Sequence, residues 1–205
     1  MSRQRVTGIV LAGGRSTRFG EDKLAVEVDG RRLLHRAIDA VAAVVDEIVV
    51  VVAPDAPEPP LPRDLAVPVF VARDEVAGQG PLAGLAAGLA AASHPLALLV
   101  GGDQPALRPA LLRELLRSLT AQDDGFPLDV VGLDVDGRMR PLPVALRVAT
   151  AGPAAVAALT GGTRSLVGLV GRLRAGMLGP GQWSEIDPAG DSLRDLDTRD
   201  GLPSA

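Results

Sequence analysis

Gly8-Ile-Val-Leu-Ala-Gly-Gly-Arg-Ser-Thr-Arg-Phe-Gly-Glu-Asp-Lys23 is the stretch that decides the fold of this chain. An apolar run of strand type, Val6 to Leu11, empties directly into Gly13-Gly14 and then into a loop dense in charge and hydroxyl groups that ends at Lys23. That is the layout of a phosphate cradle. Adjacent glycines let backbone N–H groups approach an anion with no side chain in the way, and Arg15, Ser16, Thr17, Arg18 and Lys23 supply donors for several phosphate oxygens. The spacing excludes two common alternatives. Five residues separate Gly14 from Gly20 and no Lys-Ser or Lys-Thr pair follows, so the loop is not a Walker A motif. Nor does Gly-Gly-x-Ser contain the G-x-G-x-x-G of a dinucleotide fold, which disfavours a plain Rossmann dehydrogenase.

Composition narrows the partners. The chain has 205 residues, 47% of them hydrophobic, enough for one α/β domain spanning 1–205 with a full core. Its aromatic side chains are Phe19, Phe70, Phe126 and Trp183, so the core is built from Val, Leu and Ala, and stacking platforms for single-stranded nucleic acid are nearly absent. A net charge of −4 argues against a polynucleotide or an anionic membrane surface as partner, because both favour a basic face. Cysteine is absent, which removes disulfides, thiolate metal sites and a Cys nucleophile. No run approaches the roughly 18 apolar residues of a membrane span, and Val6 to Ala12 is too short and glycine-interrupted for a signal segment, so a soluble cytoplasmic protein is expected.

Past the loop, Leu24 to Val28 alternates and ends at the Asp29-Gly30 turn signal, and Arg32 to Val45 carries apolar residues at helical spacing. His35 on that helix lacks companions for a metal site and reads as a surface or capping residue. Ile48 to Val52 is a β-branched run of the kind buried on both faces of a parallel sheet. Pro54 to Pro68 holds six prolines in fifteen residues and is read as a stiff connection. Val67 to Ala72 is a further strand, with Arg73-Asp74 at its C-terminal end, the end at which ligands bind in open α/β sheets. Pro81 is placed to start a helix, and Gly84 and Gly88 give it a close-packing face.

Leu96 to Val100 is another buried strand, ending in Gly101-Gly-Asp103-Gln-Pro105. A carboxylate at the tip of a central strand, with two glycines leaving room before it, is suited to hold Mg²⁺, which takes one or two carboxylates plus phosphate oxygens and water. The competing role for Asp103 is to cap the helix expected over Leu107 to Leu119. Asp129 to Asp134 is a strand, and Asp136-Gly137 signals a hairpin into Arg138–Leu146. Arg138 and Arg140 either meet an anion or form a solvated hairpin end. Short helices are expected over Pro153–Thr160 and Leu166–Leu173. Between them, Thr163, Arg164 and Ser165 are either a second anion site or an ordinary N-cap. Together these elements predict a single doubly wound, Rossmann-like three-layer α/β sandwich with a mostly parallel, mixed sheet.

L-A-G-G-x-S-x-R-F-G-x-D-K resembles the signature of nucleotidyltransferases of the nucleotide-diphospho-sugar transferase-like fold. Leu11-Ala12-Gly13-Gly14 is most similar to the molybdenum cofactor guanylyltransferases, whereas many sugar and cytidylyl relatives read Leu-Ala-Ala-Gly. The resemblance implies transfer of GMP from GTP to the phosphate of molybdopterin with release of pyrophosphate, dependent on Mg²⁺ or Mn²⁺. It implies catalytic roles for Arg18, Lys23 and Asp103, and nucleotide contacts from Leu11 to Ser16, Lys23 and Asp103. Gly78 to Leu82 is similar to the segment that encloses the purine, so Gly80, Pro81 and Leu82 join the nucleotide site, with Asp74 as its acidic residue. Arg140-Pro141-Leu142 resembles the element bordering the acceptor, and Arg164 is assigned to the acceptor with it. Asp195-Leu-Asp197-Thr-Arg199 is similar to a closing element in which Asp197 would be a second metal ligand, although Arg199 stands where proline is usual and Ala53 where several relatives carry asparagine. Transient docking with molybdenum enzymes is a further expectation. The alternatives are CTP or another phosphorylated acceptor on the same fold, and a nucleotide-binding module without turnover.

Overall fold

The computed structural model describes residues 4–13, 27–28, 30–75, 79–121 and 126–194. β1 (Val6–Leu11) is followed, after residues 14–26, by a small antiparallel pair, β2 (Glu27–Val28) and β3 (Arg31–Arg32), and then by α1 (Leu33–Ala42). Of the Asp29-Gly30 turn signal, Gly30 is described: it lies in a turn between β2 and β3 with φ 72°, while Asp29 lies outside the described residues. β4 (Glu47–Val52) is buried along its whole length, and the proline-rich stretch after it carries no regular element before β5 (Val69–Arg73). α2 (Pro81–Ala91) starts on the expected proline, β6 (Leu96–Gly101) is fully buried, and α3 (Pro109–Thr120) follows.

β7 (Val130–Val135) turns tightly through Asp136 and Gly137, at φ 54° and 76°, into β8 (Arg138–Met139). The Asp134 carboxylate accepts the Gly137 N–H at 2.8 Å and fixes that turn. β9 (Val144–Arg147) then runs straight into α4 (Val148–Thr160). The sequence places the start of this helix at Pro153. In the structure Pro153 lies inside it, because Ala151, Ala155 and Ala158 are fully buried and their packing outweighs the one intrahelical bond that proline cannot make. α5 (Leu166–Val170) ends at Gly171, three residues short of the length expected from the sequence up to Leu173. β10 (Ala175–Leu178) and α6 (Pro180–Ile186) complete the described elements.

The strands form an eight-stranded sheet in the order β10-β7-β9-β6-β1-β4-β5, with β8 attached to β7. β9 alone runs antiparallel within that path, which makes the sheet mixed and mostly parallel. Period-two alternation sends Ile48, Val50, Val52, Leu96, Leu98 and Val100 to the face covered by α1, α3 and α6. Ile9, Val49, Val51, Ala97 and Leu99 point to the face covered by α2, α4 and α5. Gly84 and Gly88 are the close-packing face of α2: a methyl on Gly88 would fall 2.5 Å from Ile9 Cγ2, and one on Gly84 3.1 Å from Leu11 Cδ2.

At the N-terminal end of the strands, Glu47 is 5% exposed. Burial pushes its carboxyl up, yet the Thr7 hydroxyl and Ser93 N–H, each donating at 2.7 Å, together with nearby His94, outweigh burial and hold it below the ordinary value of 4.5. His35 Nε2 donates to the Pro60 carbonyl at 2.7 Å, pinning the proline-rich segment to α1.

Candidate functional site

From β1 the chain steps outward through β4 and β5, then returns across the sheet to β6 on the other side of β1. The order therefore reverses between β1 and β6, and in open α/β sheets a crevice forms outside the C-terminal ends at such a reversal. The backbone closes tightly there. The Gly102 N–H donates to Leu11 O at 2.9 Å, the Ala12 N–H to Val51 O at 2.8 Å, and the Asp74 N–H to Val52 O at 3.0 Å. Leu11–Gly13, Ala53, Asp74 and Gly101–Asp103 are thereby held along one edge formed by the ends of β1, β4, β5 and β6. A side chain on Gly13 would meet the Ala53 nitrogen at 3.2 Å, so this glycine permits the close approach of two backbones.

Asp103 is half-buried in the turn that follows β6. It does not cap α3, whose N-cap is Arg108. A methyl on Gly101 would fall 2.6 Å from Asp103 Oδ1, so glycine is what leaves room for this carboxylate. Among the described residues no group of three or more His, Asp or Glu side chains gathers to hold a metal. One hard carboxylate at a strand tip nonetheless fits Mg²⁺, which takes one or two carboxylates and completes its shell with phosphate oxygens and water.

Gly80 is the N-cap of α2 with φ 80°, a conformation that favours glycine. Its neighbour is the loop before α5: a side chain on Gly80 would strike Arg164 O at 2.7 Å, and the Leu82 N–H donates to that oxygen at 3.3 Å. Arg164 Nη1 donates to Leu159 O at 2.9 Å and Thr163 O at 3.0 Å, bracing the C-terminal end of α4. Of the two readings of this loop, the N-cap is present: Ser165 Oγ accepts the Gly168 N–H at 3.2 Å. Arg164 is thus brought to Gly80 and Leu82, the segment expected to enclose the base. Arg140 Nη2 donates to Leu193 O at 2.7 Å, and the neighbouring Leu142–Pro143 peptide is cis. Gly14, Arg15, Ser16, Thr17, Arg18, Lys23, Gly78, Asp195, Asp197 and Arg199 lie outside the described residues.

Two contributors have partners that the sequence pattern does not show. Arg73 Nη1 donates to the carbonyls of Ala53, Pro54 and Ala56 at 3.3, 3.0 and 2.8 Å, tying the proline-rich segment down beside Asp74. Its position next to that segment was visible, but the choice of partners is tertiary. The other is a strap from Asp187 to Leu193. Asp187 is fully buried, and burial raises its carboxyl. Bonds from the Ser192 N–H and hydroxyl and the Asp191 N–H, with the charge of Arg108, outweigh that and hold it below the ordinary 3.8.

This edge, with Gly13 packed against the Ala53 backbone after the first strand and a carboxylate at the tip of a neighbouring one, has the layout expected of a nucleotidyltransferase. The chain belongs to the MobA-like NTP transferase domain family, whose model matches residues 8–175. It is 33% identical over 200 residues to a Chloroflexus aggregans protein named "probable molybdenum cofactor guanylyltransferase", covering 96% of this chain and 91% of that one. It is 34% identical over 139 residues to the molybdenum cofactor guanylyltransferase of Desulfosudis oleivorans, covering 67% and 63%. Molybdopterin-guanine dinucleotide biosynthesis protein A from Archaeoglobus fulgidus superposes with a TM-score of 0.73 at 20% identity, over 96% and 94% of the two chains. The 4-diphosphocytidyl-2C-methyl-D-erythritol synthase of Anaerococcus prevotii shares the fold, with a TM-score of 0.67 at 15% identity over 97% and 95%. No helix among the described residues is long and apolar enough to cross a membrane.

Proposed function

We propose that this chain transfers GMP from GTP to the terminal phosphate of molybdopterin and releases pyrophosphate. The observation that carries this reading is the bond from the Gly102 N–H to Leu11 O, which sets the end of β1, after which the expected phosphate cradle follows in sequence, next to the turn bearing Asp103. An acceptor phosphate oxygen attacks the α-phosphorus, the bond from that phosphorus to the α–β bridging oxygen breaks, and pyrophosphate leaves with the electron pair. The acceptor is already anionic, so no strong general base is required, and catalysis rests on alignment and charge. Arg15, Ser16, Arg18 and Lys23 would hold the triphosphate, with Lys23 and Arg18 facing the charge that develops as pyrophosphate departs. Asp103 would hold Mg²⁺ or Mn²⁺, which supplies neutralisation of the phosphate oxygens, and Asp197 is a candidate second ligand. Arg140 and Pro141 would border the acceptor.

Base choice is assigned to Asp74, with Gly80, Pro81 and Leu82 against the purine. A carboxylate accepts the N1–H and the exocyclic N2–H of guanine together, a pairing that adenine and cytosine cannot return. The reaction would take place in the cytoplasm, and transient docking on a molybdenum enzyme is the delivery route this reading carries. Equilibrium binding of ATP, CTP, GTP and UTP in the presence of Mg²⁺ tests the base. GTP is expected to bind tightest, and Asp74→Asn is expected to weaken GTP by about tenfold or more, as loss of a charged hydrogen-bond acceptor does, with little effect on the other three. Preference for CTP would move the reading to a cytidylyltransferase.

A further inference from the structure

Gln104 is 1% exposed and uses its amide in two directions. Its Oε1 accepts the Gly101 N–H at 2.8 Å, and its own backbone N–H donates back to Gly101 O at 3.3 Å, so the turn that carries Asp103 is closed twice. Its Nε2 donates at 3.1 Å to the carbonyl of Ser192, which lies 88 residues further along the chain. The strap containing Ser192 is itself stiff. Asp187 accepts the N–H groups of Asp191 and Ser192 at 3.1 and 2.8 Å, while the Arg108 guanidinium bonds Asp187 at 2.8 Å and Asp191 at 3.1 Å. The next carbonyl, that of Leu193, receives Arg140. One strap thus joins the turn bearing the candidate metal ligand to the candidate acceptor arginine, and Gln104 is the link at the turn.

An amide this deeply buried costs free energy unless both ends are bonded, and packing alone would be served better by Leu or Met. The use of Gln here is a donor and an acceptor held at fixed separation. We propose that Gln104 is a positioning residue for the transfer reaction: through the Ser192 carbonyl it fixes the Asp187–Leu193 strap, and with it Arg140, relative to the turn that carries Asp103. In-line attack is sensitive to displacements of about 1 Å, so a loose strap would misplace the acceptor against a nucleotide that is still bound. The proposal rests on the activity given under Proposed function.

Gln104→Met keeps length and volume and removes both side-chain bonds. With GTP and molybdopterin, the acceptor KM is expected to rise about tenfold, matching the loss of about one buried hydrogen bond, while the GTP KM changes by less than about twofold. Arg140→Met is expected to lower kcat/KM for the acceptor further, and the double variant to lose less than the product of the two single losses, because both act on one strap. Losses that multiply, or a GTP KM that rises as much as the acceptor KM, would overturn the proposal. Should Gln104→Met fail to fold, Ser192→Ala loosens the same strap by removing the hydroxyl that accepts the Arg108 N–H at 3.0 Å, and is expected to give the same selective rise in acceptor KM. Hydrogen–deuterium exchange reads the coupling without turnover. In Gln104→Met, amides of 101–104 and 187–193 are expected to exchange faster together, and strap amides that exchange as in wild type overturn the coupling. Absence of pyrophosphate release from the wild-type chain with any acceptor would instead refute the activity, leaving exchange to decide on the strap.

Discussion

Asp103 is the residue on which the proposed chemistry depends most. Two unit charges about 4 Å apart attract by about 4 kcal/mol at an effective dielectric of about 20, and about 1.36 kcal/mol is tenfold in rate, so Asp103→Asn is expected to cut turnover by about a thousandfold. Thermal unfolding should stay close to wild type; full turnover in this variant would remove Asp103 from the mechanism. Gly101→Ala tests the same carboxylate indirectly. Its methyl meets Asp103 Oδ1, the far end of a side chain rather than backbone, so the fold should survive while turnover falls about tenfold or more as the carboxylate is displaced. The position of Asp103 was legible because its pattern is local: a glycine pair, a strand tip and a carboxylate are consecutive in sequence. Gln104 and Ser192 were not, because the bond between them spans 88 residues and neither belongs to a local pattern.

Among the elements, α2 is the one whose packing is most exacting. A methyl at Gly88 has nowhere to go, since Ile9 and Val51 are buried at 2.5 and 3.2 Å, so Gly88→Ala is expected to destabilise the protein by about 1–3 kcal/mol despite better helix propensity. At Gly84 the first contact is 3.1 Å, and Gly84→Ala should fall near neutral; urea unfolding of the two variants checks the contrast. Long apolar strands such as β4 and β6, and α2 with its initial proline, were readable because burial on two faces leaves a continuous apolar run. α4 was misjudged at its start because proline is a strong local signal, while the buried alanine face that overrides it exists only once β9 is in the sheet. β10 escaped notice for a related reason: it has four residues, includes Gly176, and becomes a strand through parallel pairing with β7. α6 likewise gains its anchor from Trp183 Nε1 donating to Asp134 O at 2.8 Å, a contact no periodicity reveals.

At the scale of the whole molecule, acid should weaken the fold at two places, Glu47 at the start of β4 and Asp187 in the strap bonded to the turn after β6. Glu47 and Asp187 both have carboxyls held below their ordinary values of 4.5 and 3.8, so each contributes stability that is present above those values and lost as pH falls through the lower folded ones. Glu47→Gln is therefore expected to lower the thermal midpoint at pH 7, with the difference from wild type shrinking as pH drops below about 4.5; a difference independent of pH would refute the linkage. The doubly wound architecture was legible from strand and helix alternation, and the crevice followed from it, because the position where strand order reverses is a property of topology. The measurement that tests the account most directly is pyrophosphate release by the purified chain with Mg²⁺ and molybdopterin, run with each of the four nucleoside triphosphates and with the product weighed by mass spectrometry. The account predicts release with GTP above the other three and a product heavier than molybdopterin by one guanylyl group; equal or faster release with another triphosphate, or none with GTP, would contradict it.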